Sequence, residues 1–331
     1  MRKLRDLLKR SAQRRAAMLR LFVTGFSMGS ADLVPGVSGG TMALLFGIYE
    51  ELIHSIKTVS SQSLKLALQG RIREALWVVP WEFLVPLGAG ILAAIFTLAR
   101  VISHLLTNHP VFVWSFFFGL VTASVWVVGQ RVGRWNARAY GIAATGAVVT
   151  YAIVGAVPVH TPAELPVFFV AGMIAIMAMI LPGISGSFLL VLMGKYAQLL
   201  EAVTSRDVIT LSVFVLGAAV GLALFSRLLS YMFAHHHHSM MAFLTGVLLG
   251  SLRKVWPWKE TVQTTLDAHG NEVPLVEVNR LPPALDGEVI VAASLFLVAV
   301  GLIRYLHRYE TARKRISEEH PSHEIATTAL D

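Results

Sequence analysis

Two short motifs in this sequence combine proline, glycine and hydroxyl-bearing residues in a pattern that could bind an anion. The first spans residues 35–41 (PGVSGGT) and the second residues 182–187 (PGISGS). Proline and glycine interrupt helices, and each motif is followed by an apolar run that favours a new helix. The first amide groups of such a helix lack intrahelical partners and carry partial positive charge. Each motif therefore predicts a site for a phosphate or a carboxylate.

The glycines and hydroxyl groups of both motifs are the candidate phosphate ligands. Glycines let an anion approach the backbone closely, and hydroxyls can donate hydrogen bonds to its oxygens. The candidates are Ser38, Gly39, Gly40 and Thr41 in the first motif and Ser185, Gly186 and Ser187 in the second. The alternative interpretation is that these small residues only permit tight packing of helices. The presence of two copies favours the anion site.

The motifs belong to an internal duplication. Residues 25–49 align with residues 172–196 without a gap, and the matches are not of low complexity. With small gaps the similarity extends further along the chain and pairs Gly88 with Gly217. Self-similarity of this kind indicates a repeated structural unit.

Six other apolar stretches are predicted to span the bilayer, whose hydrocarbon core needs about 20 apolar residues to cross; five of them reach about that length and one, 239–252, is shorter. They are 82–106, 111–130 and 139–158 in the first half and 207–233, 239–252 and 288–306 in the second. The apolar arms on either side of each motif are too short to cross alone. They predict re-entrant hairpins at 18–57 and 166–203.

The sequence therefore predicts an all-α polytopic membrane protein with two inverted repeats, each a re-entrant broken-helix hairpin plus three transmembrane helices. An odd number of crossings per unit inverts the second copy, which is typical of transporters. The predicted division is a basic amphipathic cytoplasmic segment at 1–17, repeat 1 at 18–158, repeat 2 at 159–306 and a cytoplasmic tail at 307–331, disordered from Glu318 onward.

Composition agrees with a membrane protein and excludes several other classes. The chain has 331 residues, of which 55% are hydrophobic and only 15% charged, as expected for a polytopic membrane protein and not for a soluble enzyme. It contains no cysteine, so disulfide and thiolate chemistry are excluded. The net charge of +8 does not indicate nucleic acid, because the basic residues lie at the ends of apolar segments.

The distribution of Lys and Arg predicts the topology. The positive-inside rule places both termini in the cytoplasm, because most basic residues fall on that side. One segment disagrees: the polar loop 253–287 would lie outside although it contains four cations. These are Arg253, Lys254, Lys259 and Arg280.

Four charged residues are further candidates. Arg100 and Arg227 fall inside predicted spans, where a charge is costly and usually faces a partner or a polar cavity. Either could bind phosphate through its planar fork or reach the interface instead. Asp32, whose counterpart in the second copy is Met179, could cap the broken helix, pair with an arginine or carry a coupling proton. Glu50 is a second candidate for proton coupling.

The run His235–His238 resembles a metal site at first sight. Four consecutive histidines on a helix cannot all face one ion, and no carboxylate or cysteine adjoins them. We therefore predict no metal and expect a solvated loop at the membrane surface.

Segments 31–53 (ADLVPGVSGGTMALLFGIYEELI) and 180–196 (ILPGISGSFLLVLMGKY) resemble the bacterial polyprenyl-phosphate transporters, a family long described only as a membrane domain of unknown function. The resemblance implies a flippase in the bacterial cytoplasmic membrane. It would return undecaprenyl phosphate from the outer to the cytoplasmic leaflet for peptidoglycan and other envelope synthesis. It assigns the headgroup to the turns around Asp32, Pro35–Thr41 and Pro182–Ser187. The implied partners are the lipid and the bilayer. No cofactor is implied; coupling to H⁺ or Na⁺ and homo-oligomerisation stay open.

Two other functions compete. The turns are also similar to those of the undecaprenyl pyrophosphate phosphatase family, in which Ser38 or Ser185 could act as a nucleophile. That family has an arginine inside the turn, where this chain has Gly39 and Gly186, and its Glu-rich motif is absent. A transporter of a small water-soluble anion is the third hypothesis.

Overall fold

The computed structural model describes residues 2–159, 161–266 and 272–319, and most of them are helical. The first half contains α1 (Arg2–Asp32), α2 (Gly39–Leu45), α3 (Tyr49–Lys57), α4 (Leu64–Leu68), α5 (Ile72–Val78), α6 (Trp81–Asn108), α7 (Pro110–Gln130) and α8 (Ala137–Val154). A π-helical turn, Thr58–Ser63, joins α3 to α4. The second half contains α9 (Leu165–Ile180), α10 (Gly186–Leu192), α11 (Tyr196–Thr204), α12 (Val208–Ser251), β1 (Lys259–Leu266), β2 (Glu272–Asn279) and α13 (Gly287–Glu319).

The described helices confirm a polytopic membrane protein. Five of them are long and apolar enough to cross a bilayer, namely α6, α7, α8, α12 and the Gly287–Arg308 part of α13. The short helices α10 and α11 meet at an angle of 103° and could count as a sixth, broken span. Large apolar side chains lie on the outer faces, such as Phe96 at 83% and Leu297 at 65% exposure. Apolar surface of this extent is suited to lipid.

The same helix contact occurs in both halves. Helix α1 packs on α6, and α9 packs on the first part of α12. A Cβ atom on Gly25 would overlap the Leu87 carbonyl oxygen, and a Cβ on Gly172 would overlap the Phe214 carbonyl oxygen. Glycine permits this close approach of two backbones. Because Gly25 and Gly172 are counterparts in the duplication, these contacts support a repeated unit.

The next spans also correspond, but each packs on the third span of the other half. A Cβ on Gly119 of α7 would stand 2.5 Å from the Phe296 carbonyl oxygen of α13. A Cβ on Gly246 of α12 would overlap the Ala143 carbonyl oxygen of α8. The halves therefore exchange a helix. The inverted relation between them stays a prediction.

One expected correspondence was wrong by two residues. Gly90, and not Gly88, matches Gly217: Cβ atoms on these two would overlap the carbonyl oxygens of Phe22 and Phe169, which are counterparts. A Cβ on Gly88 would meet nothing within 4 Å. Residues two apart on a helix point in different directions, so only one of these glycines can face α1.

Three elements extend beyond their predicted limits. Helix α1 is continuous, without a break between the segment 1–17 and the first hairpin. Helix α12 joins two predicted spans across a kink at His236, whose φ of −135° and ψ of 38° are not helical. Helix α13 continues through Glu319, and the rest of the predicted disordered tail lies outside the described residues.

The polar segment 253–287, predicted to be a loop, contains a two-stranded antiparallel ribbon. In this β ribbon, Lys259 of β1 pairs with Asn279 of β2. The backbone amide of Arg280 donates to the Trp258 carbonyl oxygen at 3.0 Å and closes its base. The indole Nε1 of Trp256 donates to the Arg280 carbonyl oxygen at 2.8 Å.

Candidate functional site

The first turn (residues 33–38) and the second turn (residues 181–185) contact each other inside the protein. The side chains that join this region come from the first motif and from Tyr49 at the start of α3, and all are buried. Ser38 Oγ donates to the Met179 carbonyl at 3.3 Å, Tyr49 Oη donates to the Ile180 carbonyl at 3.0 Å, and Thr41 Oγ1 accepts from the Gly183 amide at 2.9 Å. The duplicated motifs therefore form one structural unit.

The N-terminus of α2 is already occupied by the chain's own side chains. Asp32 Oδ1 accepts from the Gly39 amide at 2.6 Å, and Ser38 Oγ accepts from the Gly40 amide at 3.1 Å. These are helix-capping bonds, the role considered for Asp32. An anion binding at these amides would have to displace a carboxylate, which argues against a phosphate at the first turn.

The N-terminus of α10 is different. Ser185 precedes this helix but accepts no hydrogen bond from its amides. Its Oγ instead lies 2.8 Å from Ser187 Oγ, and Ser187 is exposed. Met179 stands where the first copy has Asp32, and its Cγ lies 2.6 Å from the position of a Cβ on Gly186. Two hydroxyls that share one hydrogen bond leave one O–H free to donate.

Two arginines that were not singled out from the sequence bind the other end of α2. Arg131 donates through Nη1 to the Leu44 carbonyl at 2.6 Å and through Nη2 to the Leu45 carbonyl at 3.0 Å. Arg20 Nη2 donates to the Phe46 carbonyl at 3.3 Å. Positive charge at a helix C-terminus is stabilising. Their positions in the sequence, at the ends of apolar segments, indicate only topology.

Arg100 and Arg227 lie on exposed surfaces of α6 and α12. They occupy corresponding positions, because they are 127 residues apart like Gly90 and Gly217. Among the described residues, no hydrogen bond or ion pair joins either arginine to the turns. A role as counter-charge to a bound phosphate therefore stays a prediction.

Glu50 and the histidine run meet on another part of the structure. Glu50 Oε1 lies 3.0 Å from His237 Nε2, and His238 Nδ1 lies 2.9 Å from the Val132 carbonyl oxygen. The expectation of a solvated loop at 235–238 was wrong, because these residues lie within α12 on both sides of the kink at His236. The histidine run therefore lies between two apolar helical segments, and two of its imidazoles form hydrogen bonds to neighbouring elements.

Comparison with known proteins identifies the family. Residues 28–273 match the model of a family described as undecaprenyl phosphate translocase-like. The chain belongs to this family. The match includes both turns and confirms the resemblance that the two motifs carry.

Two curated proteins are also similar to this chain over most of its length. A polyprenyl-phosphate transporter of Vibrio cholerae serotype O1 is 38% identical over 297 residues, covering 88% of this chain and 96% of the relative. A polyprenyl-phosphate transporter of Staphylococcus aureus is 31% identical over 253 residues, covering 70% and 84%. No solved structure matches the chain.

Proposed function

We propose that this protein transports polyprenyl phosphate across the bacterial cytoplasmic membrane, from the outer to the cytoplasmic leaflet. The family and the names of both curated relatives support this substrate. The lipid is a phosphate monoester on a long apolar chain. Its carrier must therefore neutralise the headgroup while the chain stays in the bilayer. Return to the cytoplasmic leaflet would supply the lipid for peptidoglycan and other envelope polymers.

The observation that carries the headgroup assignment is the difference between the two turns. The first turn caps its helix with Asp32 and Ser38. The second turn has no carboxylate at this position, and its serine hydroxyls bond to each other. We therefore assign the phosphate to Ser185, Gly186 and Ser187, with the first turn as the rigid support behind them. Arg100 and Arg227 remain proposed counter-charges along the lipid-facing surface.

The geometry favours a transporter over a phosphatase. Ser38 is 2% exposed and both donates and accepts a hydrogen bond, so it is not free to act as a nucleophile. Ser185 and Ser187 hydrogen-bond to each other, whereas activation of a serine needs an adjacent general base. We expect movement of the lipid without hydrolysis.

The test uses purified protein in liposomes that contain undecaprenyl phosphate. Exposure of the phosphate in each leaflet is followed with time, and phosphate release from undecaprenyl pyrophosphate is assayed in parallel. The double variant Ser185→Ala/Ser187→Ala should slow movement at least about tenfold, because a hydrogen bond to a charged group contributes about 1.5–3 kcal/mol. Ser294→Ala is the matched control, since its hydroxyl only bonds the Ile290 carbonyl within α13.

Each arm has a result that contradicts the proposal. Wild-type movement by the double variant would exclude the second turn as the headgroup site. Release of phosphate from the pyrophosphate would make the protein an enzyme. Movement of inorganic phosphate in place of the lipid would favour a carrier of small anions.

A further inference from the structure

A cavity of about 50 Å³ lies where the β ribbon meets the ends of α8 and α10. Its polar wall comes from the segment after α12 and from the ribbon: Arg253, Lys254, Lys259, Glu277 and Asn279. Val154, Phe188 and Leu192 are among its apolar lining residues. The volume would hold about three waters, which is also the scale of one phosphate group.

The cavity has an excess of positive charge. Lys254 Nζ and Lys259 Nζ lie 3.2 and 3.5 Å from the same atom, Oε2 of Glu277. Glu277 is the one carboxylate among the lining residues, whereas three of those residues are cations. The difference, three minus one, leaves two positive charges without an acidic partner in the wall. Such a wall is complementary to an anion.

Lys259 keeps its charge in an unfavourable position. Its side chain is 7% exposed, and its Nζ lies 3.5 Å from the centre of the Trp114 ring. Burial lowers the pKa of Lys259 to about 8, even though Glu277 opposes this shift. The ammonium is therefore still largely protonated near neutral pH. A buried cation in a cleft, whose single carboxylate partner Glu277 also contacts Lys254, is typical of a binding site.

Residues at the end of α12 and directly after it contact both turns. The side chain of Lys254 occupies the space that a Cβ on Gly36 would need. Its Nζ lies 4.8 Å from the centre of the Phe188 ring, directly after Ser187 in the chain. Ser251 Oγ would stand 2.7 Å from a Cβ on Gly183. A ligand in the cavity would therefore lie next to the second turn.

We propose that this basic cavity is a second binding site for the phosphate headgroup, occupied before the headgroup reaches Ser185 and Ser187. The inference rests on the proposed function, because it takes the ligand to be a phosphate monoester with an apolar chain. The Arg253 guanidinium and the two ammoniums suit phosphate oxygens. The wall formed by Val154, Phe188 and Leu192 suits the first carbons of the chain.

This site also accounts for an exception in the sequence. The segment 253–287 carries four cations on the predicted outer side, against the positive-inside rule. Three of them line the cavity. The fourth, Arg280, donates through Nε to Glu260 Oε2 at 2.6 Å and links the two sides of the ribbon at its base. Cations retained on that side are expected if they bind an anionic ligand.

The test measures binding of farnesyl phosphate, farnesol and inorganic phosphate to the full-length protein in lipid nanodiscs. The wild type should bind farnesyl phosphate and not farnesol. Lys254→Gln/Lys259→Gln should weaken binding about 100-fold, since each lost charge-assisted bond costs about a factor of ten or more. Lys65→Gln is the matched control, because Lys65 is an exposed lysine on α4. It should change binding by less than about twofold, as is usual for an exposed surface charge.

Removing the negative charge of Glu277 distinguishes an electrostatic role of this residue from a purely structural one. Glu277→Gln removes the competing carboxylate and should tighten farnesyl phosphate binding, whereas a merely structural Glu277 predicts weaker or unchanged binding. A photoactivatable farnesyl phosphate tests the wild type directly, without relying on folding of the variants. Labelling at residues 151–156, 188–192 or 253–259 would support the site, and labelling confined to other segments would overturn it.

The outcomes separate this inference from the transport function. Unchanged binding by the double lysine variant would overturn the cavity site while lipid movement in liposomes continued. Equal affinity for inorganic phosphate and farnesyl phosphate would overturn the lipid assignment of the cavity. Absence of lipid movement by the wild type would instead contradict the proposed function itself.

Discussion

Asp32, directly before the first turn, has an uncharged counterpart in the second copy. Its carboxylate accepts a hydrogen bond from the first backbone amide of α2, and the corresponding residue in the second copy is Met179. One copy therefore satisfies its helix terminus internally, whereas the serine before α10 accepts no hydrogen bond from that helix, and we propose that a ligand binds there. Duplication followed by loss of one carboxylate would convert a symmetric scaffold into an asymmetric site.

Two substitutions separate capping from coupling at Asp32. Asp32→Asn keeps an oxygen that can accept from the Gly39 amide, so transport and the melting temperature should remain near those of the wild type. Asp32→Ala removes the acceptor and should cost about 1 kcal/mol of stability. Thermal unfolding and lipid movement in liposomes check both. If Asp32→Asn abolished transport at unchanged stability, the carboxylate would carry a charge or a proton in the cycle.

The pKa of Lys259 predicts how lipid binding depends on pH. Burial lowers this pKa to about 8, while Glu277 and Lys254 act on it in opposite directions. Arg253 also lines the cavity and keeps its charge throughout this range. Affinity for farnesyl phosphate should therefore fall as the pH rises through about 8. Titration by calorimetry measures it, and Lys259→Gln should remove this step.

The stability of the protein should change in the opposite direction. The unfolded chain holds the Lys259 proton up to its ordinary pKa, above the value in the folded protein. Between about 8 and that ordinary value, the unfolded state binds more protons, so the free energy of unfolding rises with pH. A wild type and a Lys259→Gln variant with parallel stability curves over this window would contradict the buried charge.

At the scale of elements, hydropathy was sufficient to predict the spans. Helices α6, α7 and α8 begin and end within a few residues of the predicted limits, because each apolar stretch is bounded by charges, glycine or proline. The turns were also predictable, since proline and glycine fix where a helix stops. Helix α12 breaks at His236, between the predicted spans 207–233 and 239–252, so that division was correct, although the polar run is helical on both sides of the kink where a loop was expected.

The basic cavity could not be predicted from local sequence. The pairing of Lys259 with Asn279, and the approach of Lys254 to Gly36, join residues distant in the chain. Alternation in β1 is weak, so its pattern did not indicate a strand. The available signal was the exception to the positive-inside rule at 253–287. Arg131 was missed for a similar reason, because its carbonyl partners on α2 lie more than 80 residues earlier.

The contact between α1 and α6 gives a prediction at this scale. Gly90→Ala would push a Cβ into the Phe22 carbonyl, so it should separate the helices and lower the melting temperature clearly. Gly88→Ala meets nothing within 4 Å and replaces glycine inside a helix. It should be neutral or stabilising by up to about 1 kcal/mol. The two variants lie two residues apart, so equal effects would contradict the contact.

The whole molecule is held together by exchange between its halves. Helix α13 packs on α7, α8 packs on α12, and three hydrogen bonds join the first motif and Tyr49 to residues 179–183. Each such bond contributes a net stabilisation of about 0.5–1.5 kcal/mol. Separation of the turns would then cost a few kcal/mol in total. The packing of α13 on α7 and of α8 on α12 adds to the cost of separating the two halves.

The orientation of the molecule decides whether the basic cavity receives or releases the lipid. The chain has no cysteine, so single cysteines can be introduced without background. Leu285, between β2 and α13, is 90% exposed, and Leu68, at the end of α4, is 81% exposed. In intact bacterial cells, a membrane-impermeant maleimide should label Leu285→Cys, because the topology predicted from the basic residues of the other segments places the ribbon outside. Leu68→Cys should be labelled only after the cells are permeabilised.

The reverse labelling pattern would change the mechanism, although both phosphate sites could remain. The cavity beneath the ribbon would then face the cytoplasm, so Lys254 and Lys259 would hold the headgroup on release. In the expected orientation, the same cations raise the local concentration of an anionic lipid at the outer leaflet. High salt should then slow uptake from that leaflet more than release, because salt screens the attraction of these cations for a headgroup that is still more than about 10 Å away. Measurement of both rates at two ionic strengths, with Lys65→Gln as control, distinguishes the two orientations independently of the labelling.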